Sequence, residues 1–136
     1  MKCISRAIRQ EIRERDGKRC EYCRLPEVYS PISYQVDHII PVKRHRGSEA
    51  QTNLAWTCFN CNRSKETDIA SYDVEETNDL TPLFNPRTQN WDAHFYMDGA
   101  VIAAKTAIGR VTLRLLNMNS PDYIDGRTFL IEFGLW

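Results

Sequence analysis

The sequence predicts an α+β protein in which residues 1–136 form one domain around a four-cysteine zinc site. Three observations lead to this prediction: two CxxC pairs of the same spacing, helical amphipathic patterns towards both ends of the chain, and segments rich in β-branched and aromatic residues between them. A chain of 136 residues is long enough for one core and short for two. Because 42% of the residues are hydrophobic and 26% are charged, the composition excludes charge-driven disorder.

The first element is a predicted amphipathic helix at residues 4–16. Its isoleucines recur every four residues and its arginines fall on a separate stripe, with Gly17 where helices commonly end. The arginine stripe is either a solvated face or a surface that touches phosphates. The chain has no apolar run of the ~20 residues that a membrane helix needs, and its N-terminus lacks the apolar stretch of a secretory signal. We therefore expect a cytoplasmic protein without a membrane partner.

The middle of the chain predicts a strand and then a loop. Residues 32–42 are rich in β-branched and aromatic side chains, which favours a strand, and Pro41 stops a regular central strand at that point. The polar, glycine-containing residues 43–52 predict a surface loop. A short helix is expected to begin after Cys61. The acidic residues 66–90 indicate extended chain laid over a surface.

The C-terminal part predicts a β-hairpin and a helix. The hairpin is expected to turn at Asp98-Gly99. The helix spans about residues 107–117 with Thr106 as its N-cap, and it presents apolar side chains at helical spacing. We expect this unit, at about residues 91–118, to pack on a zinc-held core. The remaining tail has no predicted element.

Four of the five cysteines form two pairs that predict a structural zinc site. Because the cytosol keeps thiols reduced, disulfides are not expected, and a redox pair would need a thioredoxin-like strand–helix setting that the sequence lacks. Four thiolates give the closed tetrahedral geometry of structural Zn²⁺. The predicted ligands are Cys20, Cys23, Cys58 and Cys61. Zinc would clamp both ends of the insert between the pairs, within a core at about residues 18–70, and Cys3 is expected to be a free thiol.

Polar residues in and beside this insert are of the types that phosphodiester hydrolysis needs. A neutral histidine, His38, suits the base for an attacking water near pH 7. Asp37 and Asn62 offer a carboxylate and an amide oxygen, which can hold Mg²⁺ while water and phosphate fill its other positions. Asn53 can fix the imidazole by accepting its second N–H.

The neighbours Asp37 and His38 present a geometric difficulty. Adjacent residues on a regular strand point to opposite faces, so these side chains diverge unless the strand bends or bulges. Pro41 favours such a break. On spacing alone, an ordinary surface or core pair is the simpler alternative.

A family resemblance is carried by three segments around the cysteine pairs: CEYCRLP, VDHIIPVKRHRG and TNLAWTCFNCNRSK. Together they resemble the His-Asn-His (HNH) endonuclease family, and LTPLFNPRTQNWDAHF and TAIGRVTLRLLNMN resemble the C-terminal half of one bacterial branch of it. The resemblance implies a ββα-metal (His-Me finger) unit of two strands, a loop and a helix. It implies an endonuclease that leaves 5′-phosphate and 3′-hydroxyl ends, with His38 as general base, Asp37 as metal ligand, and Asn53 orienting the base or pinning the loop.

Asn62 departs from the family pattern, because many members have histidine at this last position. The chain is therefore expected to be a His-Asn-Asn variant. A ligand set made only of oxygen favours Mg²⁺ or Mn²⁺ over Ni²⁺ or Zn²⁺ at the cleavage site. Since a neutral amide is a weaker ligand than histidine, we expect weak metal binding and activity that rises with millimolar Mg²⁺ or Mn²⁺.

Basic residues after Asn62 and in the loop are the predicted substrate contacts. They are Lys65, Arg63, Lys43 and Arg44. The first two resemble the basic position that family members keep at the helix start, and the other two give the loop a positive edge that positions DNA without reading its sequence. His45 is expected to be a bystander or a DNA contact, and His94 a packing residue.

The charge distribution leaves alternatives open. Residues 1–65 hold 13 basic and 7 acidic side chains, whereas residues 66–136 hold 5 and 11. This asymmetry indicates a surface that faces a polyanion, or two halves that neutralise each other. The leading interpretation is a DNA endonuclease with structural zinc and catalytic Mg²⁺ or Mn²⁺, and with a homodimer as one way to cut both strands. The alternatives are a zinc-stabilised nucleic-acid-binding module whose nuclease site has decayed, and a zinc-held protein-interaction domain.

Overall fold

The computed structural model describes residues 4–136, so the thiol predicted to be free at Cys3 lies outside the described part. Helices and strands are mixed along the chain, which confirms the mixed α and β content. The helices are α1 (Arg6–Arg15), α2 (Phe59–Lys65), α3 (Ala107–Leu115) and α4 (Pro121–Glu132). The strands are β1 (Gln35–His38), β2 (Leu54–Thr57), β3 (Ala70–Tyr72), β4 (Leu80–Pro82), β5 (Phe95–Asp98) and β6 (Val101–Ala104). Single helical turns lie at Glu27–Tyr29, Gln51–Asn53 and Trp91–His94, and Val42–His45 is a turn interrupted by non-helical angles at Lys43 and Arg44.

The strands pair two by two, and every pair is antiparallel. β1 lies against β2 with His38 opposite Leu54, β3 lies against β4, and β5 lies against β6. Helix α2 begins one residue after the end of β2, because Cys58 caps its first turn. The chain therefore runs as strand, loop, strand and helix over the segment that holds the predicted site.

The N-terminal helix and the helix at 107–117 are confirmed in type and approximate position. Ser5 caps α1 by accepting a hydrogen bond from Ile8 N, and the isoleucine stripe faces the core, with Ile12 fully buried. Thr106 caps α3 by accepting from Gly109 N, and Val111 is fully buried.

Three predicted elements are corrected. The strand predicted at residues 32–42 is shorter, because only four residues before Ile39 find antiparallel partners on β2. The predicted extended stretch at 66–90 contains the β3–β4 pair, whose connection closes around the buried carboxylate of Asp73. The hairpin turns one residue later than predicted, at Gly99-Ala100, because Asp98 still pairs with Val101. Gly99 has φ +61°, a conformation that favours glycine.

The tail without a prediction forms α4, which is anchored by a buried arginine. Arg127 is fully buried, and its guanidinium donates to Ala100 O at 2.7 Å, Met118 O at 3.0 Å and Asn119 Oδ1 at 2.8 Å. Asn119 in turn bonds Ile102 N and O. One side chain thus joins the helix, the hairpin and the turn before it.

The C-terminal part packs on the cysteine-bearing part through a shared core. Trp91 is buried, and its Nε1 donates to Tyr22 O at 2.7 Å, inside the first CxxC pair. Asn60 Nδ2 donates to Leu116 O at 3.1 Å, which ties α2 to the end of α3. In the described range, none of the helices has the length and apolar character needed to cross a membrane.

We expect Arg127→Ala to lower the free energy of unfolding by about 3 kcal/mol or more, because a fully buried side chain is truncated and three acceptors, one buried and two half-buried, lose a charged donor. Urea unfolding followed by circular dichroism measures the change. Arg9→Ala, an exposed arginine on α1, is the matched control and should change stability by about 0.5 kcal/mol or less. A loss no larger than that of the control would contradict the anchoring role.

Candidate metal centre and catalytic cleft

The four paired cysteines meet at one point in the core. All four are buried, and their Sγ atoms lie within 4.8 Å of one another. Cys23 Sγ is 3.7 Å from Cys58 Sγ. A tetrahedron with Zn–S bonds of about 2.3 Å has sulfur–sulfur edges of about 3.8 Å, so the cluster has the dimensions of a zinc site. Four buried cysteines thus confirm the predicted cluster and fit structural zinc.

Backbone N–H groups donate hydrogen bonds to two of these sulfur atoms, which favours negative charge on them. Cys61 N donates to Cys58 Sγ at 3.3 Å, and Cys23 N donates to Cys20 Sγ at 3.5 Å. Hydrogen bonds from the other thiols, Cys20 first, lower the pKa of Cys58, whereas burial raises the pKa of Cys23. Mutual repulsion and burial therefore disfavour the deprotonation of all four thiols unless a cation compensates their negative charge. Bound Zn²⁺ would supply the compensating charge.

The first CxxC pair also sends two side chains into its surroundings. Glu21 is buried, and its Oε2 accepts from Trp56 N at 2.6 Å on β2, while Arg15 and Arg87 pair with the same carboxylate. Tyr22 is fully buried, and its hydroxyl donates to Asp37 Oδ2 at 3.3 Å. The cysteine cluster is therefore connected to β2 and to the predicted site by direct contacts.

Of the residues predicted for catalysis and for the catalytic cation, His38, Asp37 and Asn62 line one cleft of about 220 Å³, whereas Asn53 does not. It lies between the end of β1, the loop after it and α2. Its polar lining residues are Asp37, His38, Lys43, Asn62 and Glu66. Both Asp37 and His38 contribute to the lining although they are neighbours at the end of β1.

A buried ion pair dominates the floor of the cleft. Lys65 Nζ lies 3.0 Å from Asp37 Oδ2 and 3.3 Å from Oδ1, and it also donates to His38 O at 3.1 Å. Only 1% of Lys65 is exposed, so its ammonium group faces Asp37 and not the solvent. Burial raises the pKa of Asp37, and Lys65 and Tyr22 oppose that rise. Lys65 thus holds the Asp37 side chain and the backbone of His38 in place, and it also neutralises the Asp37 carboxylate.

The imidazole of His38 lies beside an acidic side chain that the sequence did not suggest. His38 Nε2 is 3.4 Å from Glu49 Oε1 without forming a hydrogen bond. Glu49 comes from the loop between β1 and β2, eleven positions along the chain, and nothing in its local sequence marks it. Glu66, which follows the end of α2, is a second lining residue without such a signal.

Asn53 holds the loop and not the imidazole. Its Oδ1 accepts from Ile40 N at 2.9 Å, and its Nδ2 donates to Ile40 O at 2.9 Å and to Ser48 O at 2.8 Å. These three bonds form a clasp that closes the loop at its two ends. A Cβ on Gly47 would lie 1.6 Å from Ile40 O, so the closed loop requires glycine at that position. Of the two roles implied for Asn53, these contacts match pinning the loop.

The remaining predicted site residues lie in or beside the cleft, except for Arg63. Asn62 is half-buried on α2, and its Nδ2 donates to Gln35 Oε1 at 2.9 Å. Lys43 lines the cleft, and Arg44 is exposed beside it. Arg63 lies outside this cleft, with its guanidinium 5.9 Å from the ring centre of Phe59.

Comparison with known families agrees with this geometry. The family model of the HNH endonucleases matches residues 20–68, which contain both cysteine pairs, β1, β2, α2 and the cleft between them. We refer to the matched residues 20–68 as the HNH domain. The match confirms the resemblance over about a third of the chain. No curated protein and no solved structure matches the chain significantly. The HNH domain indicates a nuclease-type or nucleic-acid-binding role.

Zinc removal is expected to unfold the HNH domain. Cys58→Ser removes one sulfur ligand while leaving a side chain that can still cap α2, so we expect loss of bound zinc together with a broad loss of structure. Metal analysis by mass spectrometry and circular dichroism measure both. Ser64→Ala, on the same helix, should retain zinc and fold. A folded and zinc-free Cys58→Ser protein would contradict the structural role.

Breaking the buried ion pair of the HNH domain is expected to be costly. Lys65→Met leaves the Asp37 carboxylate buried and uncompensated, which should lower the free energy of unfolding by about 3–5 kcal/mol at pH 7. Urea unfolding in the absence of added Mg²⁺ measures this. Lys65→Met combined with Asp37→Asn removes both charges and should recover part of the loss. Equal losses for the single and the double variant would contradict the pairing.

Proposed function

We propose that this protein is a metal-dependent endonuclease that hydrolyses DNA phosphodiester bonds. One observation carries the proposal: the side chains that the chemistry needs, Asp37, His38 and Asn62, line a single cleft of the HNH domain. The strand, loop, strand and helix around the cleft support its assignment as a ββα-metal unit. We further propose that the whole chain is one domain and that it works in the cytoplasm, where thiols stay reduced for zinc.

The donor set of the cleft fits a hard divalent cation, Mg²⁺ or Mn²⁺. The carboxylate of Asp37 and the amide oxygen of Asn62 would hold it, and such a cation stabilises negative charge on the phosphate and on the departing 3′ oxygen. Among residues 4–136, His, Cys, Asp and Glu side chains form no group of three donors other than the cysteine cluster. A site with so few protein ligands suits an ion that keeps water and phosphate in its remaining positions. Because Lys65 already compensates Asp37, we expect weak metal affinity.

His38 serves as the general base in this proposal. Glu49 faces Nε2, and a carboxylate there favours the tautomer that carries its proton on Nε2. Nδ1 is then the nitrogen that accepts a proton from the attacking water. Glu49 thus takes the orienting role that the sequence assigned to Asn53, and Asn53 keeps the loop closed.

Lys43 and Arg44 are the proposed contacts to the DNA backbone. Lys43 lines the cleft, and Arg44 stands exposed next to it, so both can approach a phosphate held there. Lys65 would act on the substrate only indirectly, through Asp37 and the backbone of His38. The position of Arg63, outside the cleft, gives its predicted phosphate contact no support.

The second candidate is a zinc-stabilised nucleic-acid-binding module whose nuclease site has decayed. Two observations favour it: Asn62 replaces the usual histidine, and Lys65 neutralises Asp37. The HNH match and the positive loop edge fit both candidates, whereas the shared cleft favours the enzyme.

We expect the wild-type protein to nick supercoiled plasmid with Mg²⁺ or Mn²⁺ and His38→Ala to be slower by about 10²–10⁴-fold. Gel electrophoresis of the plasmid over time measures both rates. His94→Gln, which changes a histidine outside the HNH domain, should keep the wild-type rate. Mg²⁺ chelation should stop cleavage while structural zinc is retained.

Two other results would decide against the enzyme. Wild-type protein that binds plasmid in a gel shift and never nicks it with any divalent cation would be the binding module. Cleavage that needs Zn²⁺ at the cut and ignores Mg²⁺ would contradict the oxygen-ligand assignment.

A further inference from the structure

An apolar groove borders a different part of α2 from the catalytic cleft. It has a volume of about 620 Å³ and runs between the turn after the first cysteine pair, α2 and α4. Its main apolar lining residues are Leu25, Tyr29, Ile32, Phe59, Phe129 and Leu130. We call this surface the aromatic groove. None of its side chains belongs to the proposed nuclease site.

The aromatic groove leaves large side chains in solvent. Tyr29 is 42% exposed, Ile32 47% and Phe129 53%. Phe133 stacks on Phe129 with ring centres 4.7 Å apart and is 65% exposed, so it extends the apolar surface along the end of α4. Contiguous exposed apolar surface of this kind marks an interaction site more often than a free surface.

Helix α4 has the composition of a helix that is covered on two sides. Its inner face buries Arg127 and Leu130, while Phe129 and Ile131 point outwards. A helix that is apolar on opposite faces is usually packed on both. The core covers only one of them.

The charges at the groove indicate what covers the outer face. Arg63 and Asp122 both line it, and both are exposed. A two-fold axis would place Arg63 of one copy near Asp122 of the other, and the reverse contact would follow by symmetry. Arg63 and Asp122 are the charged residues of the groove lining, so each copy offers one basic and one acidic group to the other. Nucleic acid fits less well, since the exposed ionised side chains of α4 are Asp122, Asp125 and Glu132.

We propose that a second copy of this chain covers the aromatic groove, forming an isologous dimer. Phe129 and Phe133 of each copy pack against Tyr29, Ile32 and Phe59 of the other. The pairs between Arg63 and Asp122 fix the orientation of the two copies, and the helix α2 that carries Asn62 lies behind each half of the interface.

Sedimentation velocity with the zinc-loaded protein tests the proposal. We expect a dimer at about 0.1 mM, where an association with micromolar Kd is nearly complete. Phe129→Glu should raise the dimer Kd by roughly thirtyfold or more, the effect of losing an interface hot spot. Tyr96→Glu, equally exposed on β5 and away from the groove, is the matched control and should leave the dimer intact. Zinc content and circular dichroism show that each variant is folded.

Charge reversal tests the orientation. Arg63→Asp and Asp122→Arg should each weaken the dimer, and the double variant should restore it because the two contacts are re-formed with exchanged signs. A wild-type monomer at 0.1 mM overturns the proposal, and so does a dimer that persists in Phe129→Glu. A double variant that stays as weak as the singles overturns the two-fold arrangement.

Discussion

Four sulfur atoms within 4.8 Å of one another set the geometry of the HNH domain. The first pair comes from a loop and the second from the start of α2, so a shared cation fixes the distance between these two parts of the chain. β1 and β2 lie between the pairs, and the first pair reaches both strands through Glu21 and Tyr22. The cleft is therefore built on the frame of the cysteine cluster, and Ile39, Leu54 and Trp56 tie the same segment to the hydrophobic core.

The same frame explains how a carboxylate can be kept at the floor of the cleft. Asp37 is 6% exposed, a position where an isolated charge would be expelled or protonated. Lys65 and Tyr22 stabilise the buried Asp37 carboxylate. Tyr22 lies inside the first cysteine pair, and Lys65 lies on α2, which begins at the second pair. The Asp37 carboxylate is thus already neutralised, and in the proposed reaction a divalent cation would have to compete with an ammonium group for it.

Spacing rules recovered what local sequence encodes and missed what only tertiary contacts create. The CxxC pairs predicted the sulfur cluster, the isoleucine repeat predicted α1, and Thr106 predicted the start of α3. The β3–β4 pair escaped because its two strands of three residues gain stability from Asp73 and Arg110 across the chain. Lys65 was predicted as a substrate contact, and only the fold shows that this lysine, of a residue type seldom buried, is paired with Asp37 in the interior. Glu49 and Arg127 likewise depend on distant groups.

The clasp made by Asn53 holds the base of the loop, and the contact of His45 Nε2 with Thr67 O at 3.0 Å ties its exposed tip to the segment after α2. The hydrogen bonds of Asn53 end at Ile40 and Ser48, and there is no room for a side chain at Gly47. Residues 43–46, in contrast, are exposed. Substitutions at Arg44 and Arg46 would leave the imidazole and the floor of the cleft undisturbed, whereas Lys43 lines the cleft. The charge that the loop presents at its surface can thus change in sequence while the contacts that hold the cleft stay the same.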